Sequence, residues 1–184
     1  MPKNHYLRTF FIINGVITFA NGLLGPLYAL FVEKFDTNIL TISISWSAFQ
    51  LSTVFFLLLM RKYGDRQRHK IIFLKISYLI RILVWISFVF VGNIYQLIGL
   101  QIALGAAEAL GAPTFQALVA EHLDHGKHLE EYSTWKLILY FTSAIATLVG
   151  GLIVKDFGFQ PLFIFTAILA LYTLINLQLR FKNK

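Results

Sequence analysis

At 184 residues, 57% hydrophobic and only 14% charged, with a mean hydropathy of +0.68, the chain lacks the composition of a water-soluble domain and reads as a membrane protein. It contains no cysteine, which excludes disulfides, thiolate metal sites and cysteine nucleophiles. Its net charge of +7 comes from Lys and Arg in loops beside apolar spans, so anionic lipid rather than nucleic acid is the expected counter-charge.

A membrane-crossing helix needs about 20 apolar residues, and six stretches qualify. The first, about Arg8 to Phe31, is too long for the apolar core of a cleavable signal and is taken as a mature helix. It carries Asn14, Thr18, Asn21 and Gly25 on one stripe and a helix-disturbing Pro26. The second, about Thr41 to Met60, places Ser43, Ser47 and Gln50 on one face. A basic loop follows, then the third span, about Ile71 to Val91, with Arg81 inside it. The fourth, about Ile94 to Val119, holds Gln101, Glu108, Pro113 and Gln116. A polar loop with His122, His125 and His128 has no fixed face and is expected to be solvated rather than to bind metal. The fifth span, about Tyr132 to Val154, aligns Lys136, Tyr140, Ser143 and Thr147, and the sixth runs from about Pro161 to Leu179. Residues 1–184 are therefore expected to form a single all-α bundle of six transmembrane helices, bound to a lipid bilayer.

Lys and Arg fall unevenly about these spans. Lys3, Arg8, Arg61, Lys62, Arg66, Arg68, Lys70, Lys75, Lys127, Lys136, Arg180, Lys182 and Lys184 lie on one side, and Lys34 and Lys155 on the other. This bias places both termini in the cytoplasm, with the plasma (inner) membrane as the expected location.

An internal repeat organises the chain. When Pro26 is set against Pro113, Asn14 matches Gln101, Thr18 matches Gly105, Asn21 matches Glu108 and Gly25 matches Ala112. The following helices match around Trp46 and Trp135. Three spans separate the copies, so the two repeats, about 8–91 and 94–180, are expected to be inverted. Helices broken at Pro26 and Pro113 in corresponding positions are a transporter pattern. On that basis Asn14, Thr18, Asn21, Gln101, Glu108 and Gln116 are predicted to line a cavity; the competing account is that such small and amide residues serve only close helix packing.

Arg81 lies about 15 Å into a core about 30 Å thick, where an uncompensated charge costs about 3 kcal/mol. Glu108 is the other ionisable group near that depth, and a Glu108–Arg81 pair is expected. Two roles stay open for it: an ion-coupling site tuned by Arg81, or a structural ion pair. There is no phosphate-binding glycine loop, serine elbow or zinc-binding helix, and no enzyme activity or cofactor is expected.

The loop RKYGDRQRHKII resembles the cytoplasmic loop of the major facilitator superfamily, with Asp65, Arg66 and Lys70 at its acidic and basic positions. LVGGLIVKDFGFQPLFIF, 148–165, is similar to that family's passage from helix five to helix six. The resemblance covers essentially the whole chain but only the amino-terminal six helices of a twelve-helix fold. It implies a cavity between helices one and four, and interface faces on helices two and five. Ser43, Ser47, Gln50, Lys136, Tyr140, Ser143 and Thr147 would then meet a second copy, giving a homodimeric transporter of a small solute. It further implies a cytoplasmic gate in which Asp65 approaches the partner's helix five. The alternatives are a non-transporting assembly module or one half of a split transporter, and beyond these a channel or lipid scramblase.

Overall fold

The structure is a computed structural model that describes residues 5–63, 67–123 and 126–180; side chains are described for these except at 5–7, 63 and 67–69. Every element among the described residues is helical: α1 (His5–Leu24), α2 (Leu27–Val32), α3 (Ile39–Tyr63), α4 (Gln67–Phe88), α5 (Ile94–Ala120), α6 (His128–Phe157) and α7 (Phe159–Arg180). Five of these, α3 to α7, contain stretches long and apolar enough to cross a membrane, and α1 adds a shorter apolar segment, Arg8–Leu24.

The first predicted span is not one helix. The chain turns at Gly25–Pro26, because proline supplies no amide hydrogen and its ring crowds the preceding turn, and α2 restarts with Pro26 as its cap. The break expected at Pro113 is absent. Helix α5 continues through it from Ile94 to Ala120, held on both sides by neighbouring helices, so a lost hydrogen bond does not become a lost helix.

Local chemistry sets the other ends. Asn93 caps α5 by accepting from Gln96 N at 2.9 Å, and the Gln96 side chain reaches back to accept from Gly92 N at 2.9 Å. Gly158, at φ +83°, is the one residue between α6 and α7; a side chain at that left-handed angle would be strained. Before α3, Asp36 accepts from Thr41 Oγ1 and from Asn38 N, while Asn38 Oδ1 accepts from Leu40 N. The two bonds to Asp36, chiefly that from Thr41, hold its carboxyl below the usual carboxylate range.

The helices pack in the order α3, α5, α4, α7, α1, α6, so α3 and α6 stand at opposite ends and α4 with α7 forms the back. Close approach depends on small residues. Gly105 of α5 lies against the Phe49 carbonyl and Ser52 of α3, and Gly150 of α6 lies against the Leu23 carbonyl of α1. Ser52 Oγ donates to Ile102 O at 2.7 Å and Ser77 Oγ to Ala107 O at 2.7 Å, joining α3 and α4 to α5. At the end of the bundle away from the termini, Phe31 of α2 is wedged among Phe88, Phe159 and Phe163, with ring centroids 4.8 to 5.7 Å apart. At the end carrying the termini, Arg180 Nη1 donates to Thr9 Oγ1 at 2.9 Å and Lys70 pairs with Glu121.

The neighbouring glycines separate packing from propensity. A Cβ on Gly150 would run into the Leu23 backbone, whereas one on Gly151 meets nothing within 4 Å. Gly150→Ala is expected to cost about 1–3 kcal/mol by overpacking, and Gly151→Ala to be neutral or stabilising by up to about 1 kcal/mol, as measured by thermal unfolding in detergent. The Asp36 carboxyl has its pKa lowered on folding, so its contribution is present above the ordinary carboxylate pKa and is lost as pH falls through the depressed value. Amide protection factors at Asn38 to Thr41, taken relative to the intrinsic exchange rate at each pH, should fall on acidification in that window and stay constant in Asp36→Asn.

Candidate functional site

The site is built where α4 reaches across two helices. Gly111 on α5 faces Ser77 on α4 so closely that an added Cβ would press on the serine hydroxyl. That approach brings Arg81, one turn beyond Ser77, to α5. Its Nη2 pairs with Glu108 Oε2, and its Nη1 donates to Asn21 Oδ1 of α1 at 3.2 Å. Arg81 is 7% exposed. Its charge is thus met inside the bundle by one carboxylate and one amide, on the two helices that the repeat alignment sets against each other.

Helices α1 and α5 are not packed side by side here. They meet at the terminal end through the rings of Phe10 and Phe115, centroids 6.0 Å apart, and open above and below Arg81 into two cavities. The proximal cavity, on the side of the chain termini, has a volume of about 200 Å³ and is lined by Asn14, Thr18, Gln116, Trp135 and Lys136 among others. The distal cavity, of about 240 Å³, is lined by Tyr28, Trp46, Phe49, Trp85 and Gln101 among others. Asn21, Arg81 and Glu108 line both and separate them.

Of the residues predicted to line a cavity, Asn14, Thr18 and Gln116 border the proximal space, Gln101 the distal one, and Asn21 and Glu108 both. Asn14 also accepts from Trp135 Nε1 at 3.1 Å, and Gln101 is buried at 2% exposure. Pro26 and Pro113 lie outside both linings. Ser77, Tyr78 and Trp85 were not singled out from the sequence, although Ser77 and Trp85 stand four residues either side of Arg81 and share its helix face. Trp85 is 4% exposed, and its Nε1 is buried without a hydrogen-bond partner.

The face assigned to a second copy divides. Ser43, Ser47, Gln50 and Tyr140 are exposed. Lys136, Ser143 and Thr147 are instead turned inward, because α6 packs on α1. Lys136 borders the proximal cavity with its Nζ 4.8 Å from the Trp135 ring centre, Thr147 Oγ1 donates to Gly22 O at 3.3 Å, and Ser143 lies against Gly22. Of the gate residues, Asp65 and Arg66 lie outside the described residues, and Lys70 is engaged by Glu121 of the same chain. No group of three metal-ligating side chains occurs among the described residues.

If the pair is chiefly structural, its two halves must be removed together. Arg81→Ala is expected to destabilise by about 3 kcal/mol, the lower end for breaking a buried pair, since the Glu108 side chain keeps 37% of its surface exposed. Adding Glu108→Gln should recover most of that loss in thermal unfolding. Failure of the double variant to recover stability, with Glu108→Gln alone harmless, would separate Arg81 from Glu108.

Comparison with known proteins agrees with this architecture. The family model of the Major Facilitator Superfamily matches residues 10–183. A Bacillus subtilis (strain 168) protein described as an uncharacterized MFS-type transporter, YitZ, is 26% identical over 154 residues, covering 82% of this chain and 92% of that relative. With a match spanning nearly every residue from α1 to the end of α7, the chain belongs to the Major Facilitator Superfamily.

Proposed function

We propose that the protein carries a small solute across the membrane by alternating access, as a homodimer of six-helix protomers. The observation that carries this reading is the pair of cavities on opposite sides of Asn21, Arg81 and Glu108. A carrier needs a site reachable from either side but not from both at once, and a charged, hydrogen-bonded partition at mid-depth suits that requirement. The similarity to an MFS-type transporter points the same way.

Counting α1 with α2 as one crossing gives six crossings, an even number that returns both termini to one side; the Lys and Arg bias assigns that side to the cytoplasm. The inverted repeat draws support from the packing order. Exchanging α1 with α5, α3 with α6 and α4 with α7 converts that order into its own reverse. Each cavity also holds a tryptophan and an amide from matched positions, Trp135 with Asn14 and Trp46 with Gln101.

The dimer is inferred from α3 and α6. Only 11% of the most apolar stretch of each is buried within the protomer, against 56% for α5. Lipid suffices for their apolar residues, but Ser43, Ser47 and Gln50 form an exposed polar stripe on α3 that favours a protein partner. In a symmetric pair, α3 of one protomer lies along α6 of its partner.

Two measurements test this. Gln50 lies about 16 Å from the distal end of α3 and Leu148 about 14 Å from that of α6, and the native chain has no cysteine. Co-expressed chains carrying Gln50→Cys and Leu148→Cys should form a covalent heterodimer in membranes, while Tyr95→Cys should not. Proteoliposomes loaded with a pool of small metabolites should lose at least one of them saturably, and the cross-link should stop that loss. A chain that remains monomeric in nanodiscs rules out the homodimer, and one that cross-links only to a different protein indicates a split transporter.

A further inference from the structure

The two cavities are not chemically alike, and the difference specifies a ligand class. We propose that the distal cavity binds an organic monocation, an ammonium carried on a hydrophobic or aromatic frame. This rests on the reading of the cavities as solute sites and goes beyond it in naming what the distal one takes.

The walls come first. Tyr28, Trp46, Phe49 and Trp85 contribute four aromatic rings to this one space, with Leu24 and Leu104 between them. Tyr28 and Trp46 lie with centroids 5.8 Å apart and Trp46 and Phe49 5.3 Å apart, tilted at 49° and 36°, so the rings form a bent wall rather than a flat stack. Trp46 is 48% exposed. Tyr28 is fixed by its hydroxyl, which donates to Ser45 Oγ at 2.8 Å. Aromatic faces attract cations through their quadrupole, most strongly for tryptophan and most when water is excluded.

The floor supplies the charge. Arg81 and Glu108 cancel in formal charge but not in what they present. The Arg81 side chain keeps 9% of its surface exposed, with Nη1 spent on Asn21 and Nη2 on Glu108, whereas Glu108 keeps 37%. Of the two charged groups bordering the cavity, the carboxylate is thus the more accessible and the guanidinium the more fully engaged. Gln101, about two turns from Glu108 on α5, adds a buried amide to the same lining beside Tyr28. Among the described residues no lysine borders this cavity, and its one cation, Arg81, is already engaged by Glu108 and Asn21, so an anion would find aromatic faces, a carboxylate and a guanidinium whose charge is met.

The proximal cavity is built the other way, with Lys136 on its lining beside Trp135. Its ammonium already occupies the position over the indole that a cationic ligand would use, and repels a second cation. The same ligand is thus held on the distal side and disfavoured on the proximal side of Arg81.

The test is equilibrium binding by titration calorimetry to the full chain in nanodiscs, with benzyltrimethylammonium, benzyl alcohol and phenylacetate as cationic, neutral and anionic probes of similar frame. The ammonium should bind saturably and at least tenfold more tightly than the other two. Trp46→Leu should weaken it about tenfold, Trp46→Phe should restore much of the loss, and Tyr95→Leu, at an exposed aromatic outside the cavity, should leave it unchanged. Glu108→Gln should abolish the preference for charge; if that variant does not fold, the Trp46 pair decides. Equal binding of all three probes, or an ammonium affinity unaffected by Trp46→Leu, overturns the proposal. Binding needs no flux, so the two readings fail separately. Ammonium binding without transport supports this site and removes the carrier, and transport of another solute without ammonium binding does the reverse.

Discussion

A guanidinium at mid-depth in an apolar bundle constrains everything around it. Arg81 is 7% exposed, so the bundle must bring it partners, and it brings them from two helices. Asn21 and Glu108 lie on α1 and α5, which are joined at their terminal ends but separate elsewhere. The arginine thus does what direct packing does not. It fixes the spacing of two helices while leaving room on both sides of the link, and a hydrophobic side chain of the same length would fill that room or let the helices collapse onto each other.

The rest of the packing keeps this arrangement in register. Gly111 against Ser77 sets the approach of α4 to α5, Gly105 against Phe49 and Ser52 sets that of α3, and Gly22 and Gly150 set that of α1 to α6. In a membrane there is little hydrophobic force between helices, so affinity comes from backbones close enough for dispersion and for hydroxyl-to-carbonyl bonds. Ser52, Ser77 and Thr147 all make such bonds across a helix pair. The outer ends are closed differently, by stacked phenylalanines on one side and by Arg180–Thr9 and Lys70–Glu121 on the other.

Much of this was legible in the chain because the bilayer imposes a strict code. Apolar length gives helices, and a charge inside such a length demands a partner, which is why Arg81 and Glu108 were paired from depth alone. The stripe Asn14, Thr18, Asn21 was readable from helical spacing. Three things were not. A proline's effect depends on its surroundings: the chain turns at Gly25–Pro26, whereas Pro113 sits in a helix held from both sides. The direction of a polar face is set by the neighbour it packs on, so Lys136, Ser143 and Thr147 turned to α1 rather than outward. Aromatic residues are so frequent that Tyr28, Phe49 and Trp85 carried no signal of their own until the fold gathered them.

The turn at Gly25–Pro26 divides the first crossing into parts with different attachments. Segment α2 is anchored through Phe31 to α4 and α7, the back of the bundle, while α1 is tied to α6 by its glycines. Both parts also rest on α7, α2 through Phe163 and α1 through Thr9 and Arg180, so the break changes the direction of the crossing without freeing either half. The turn thus lets a single crossing present Asn14 and Thr18 to the proximal cavity and Tyr28 to the distal one.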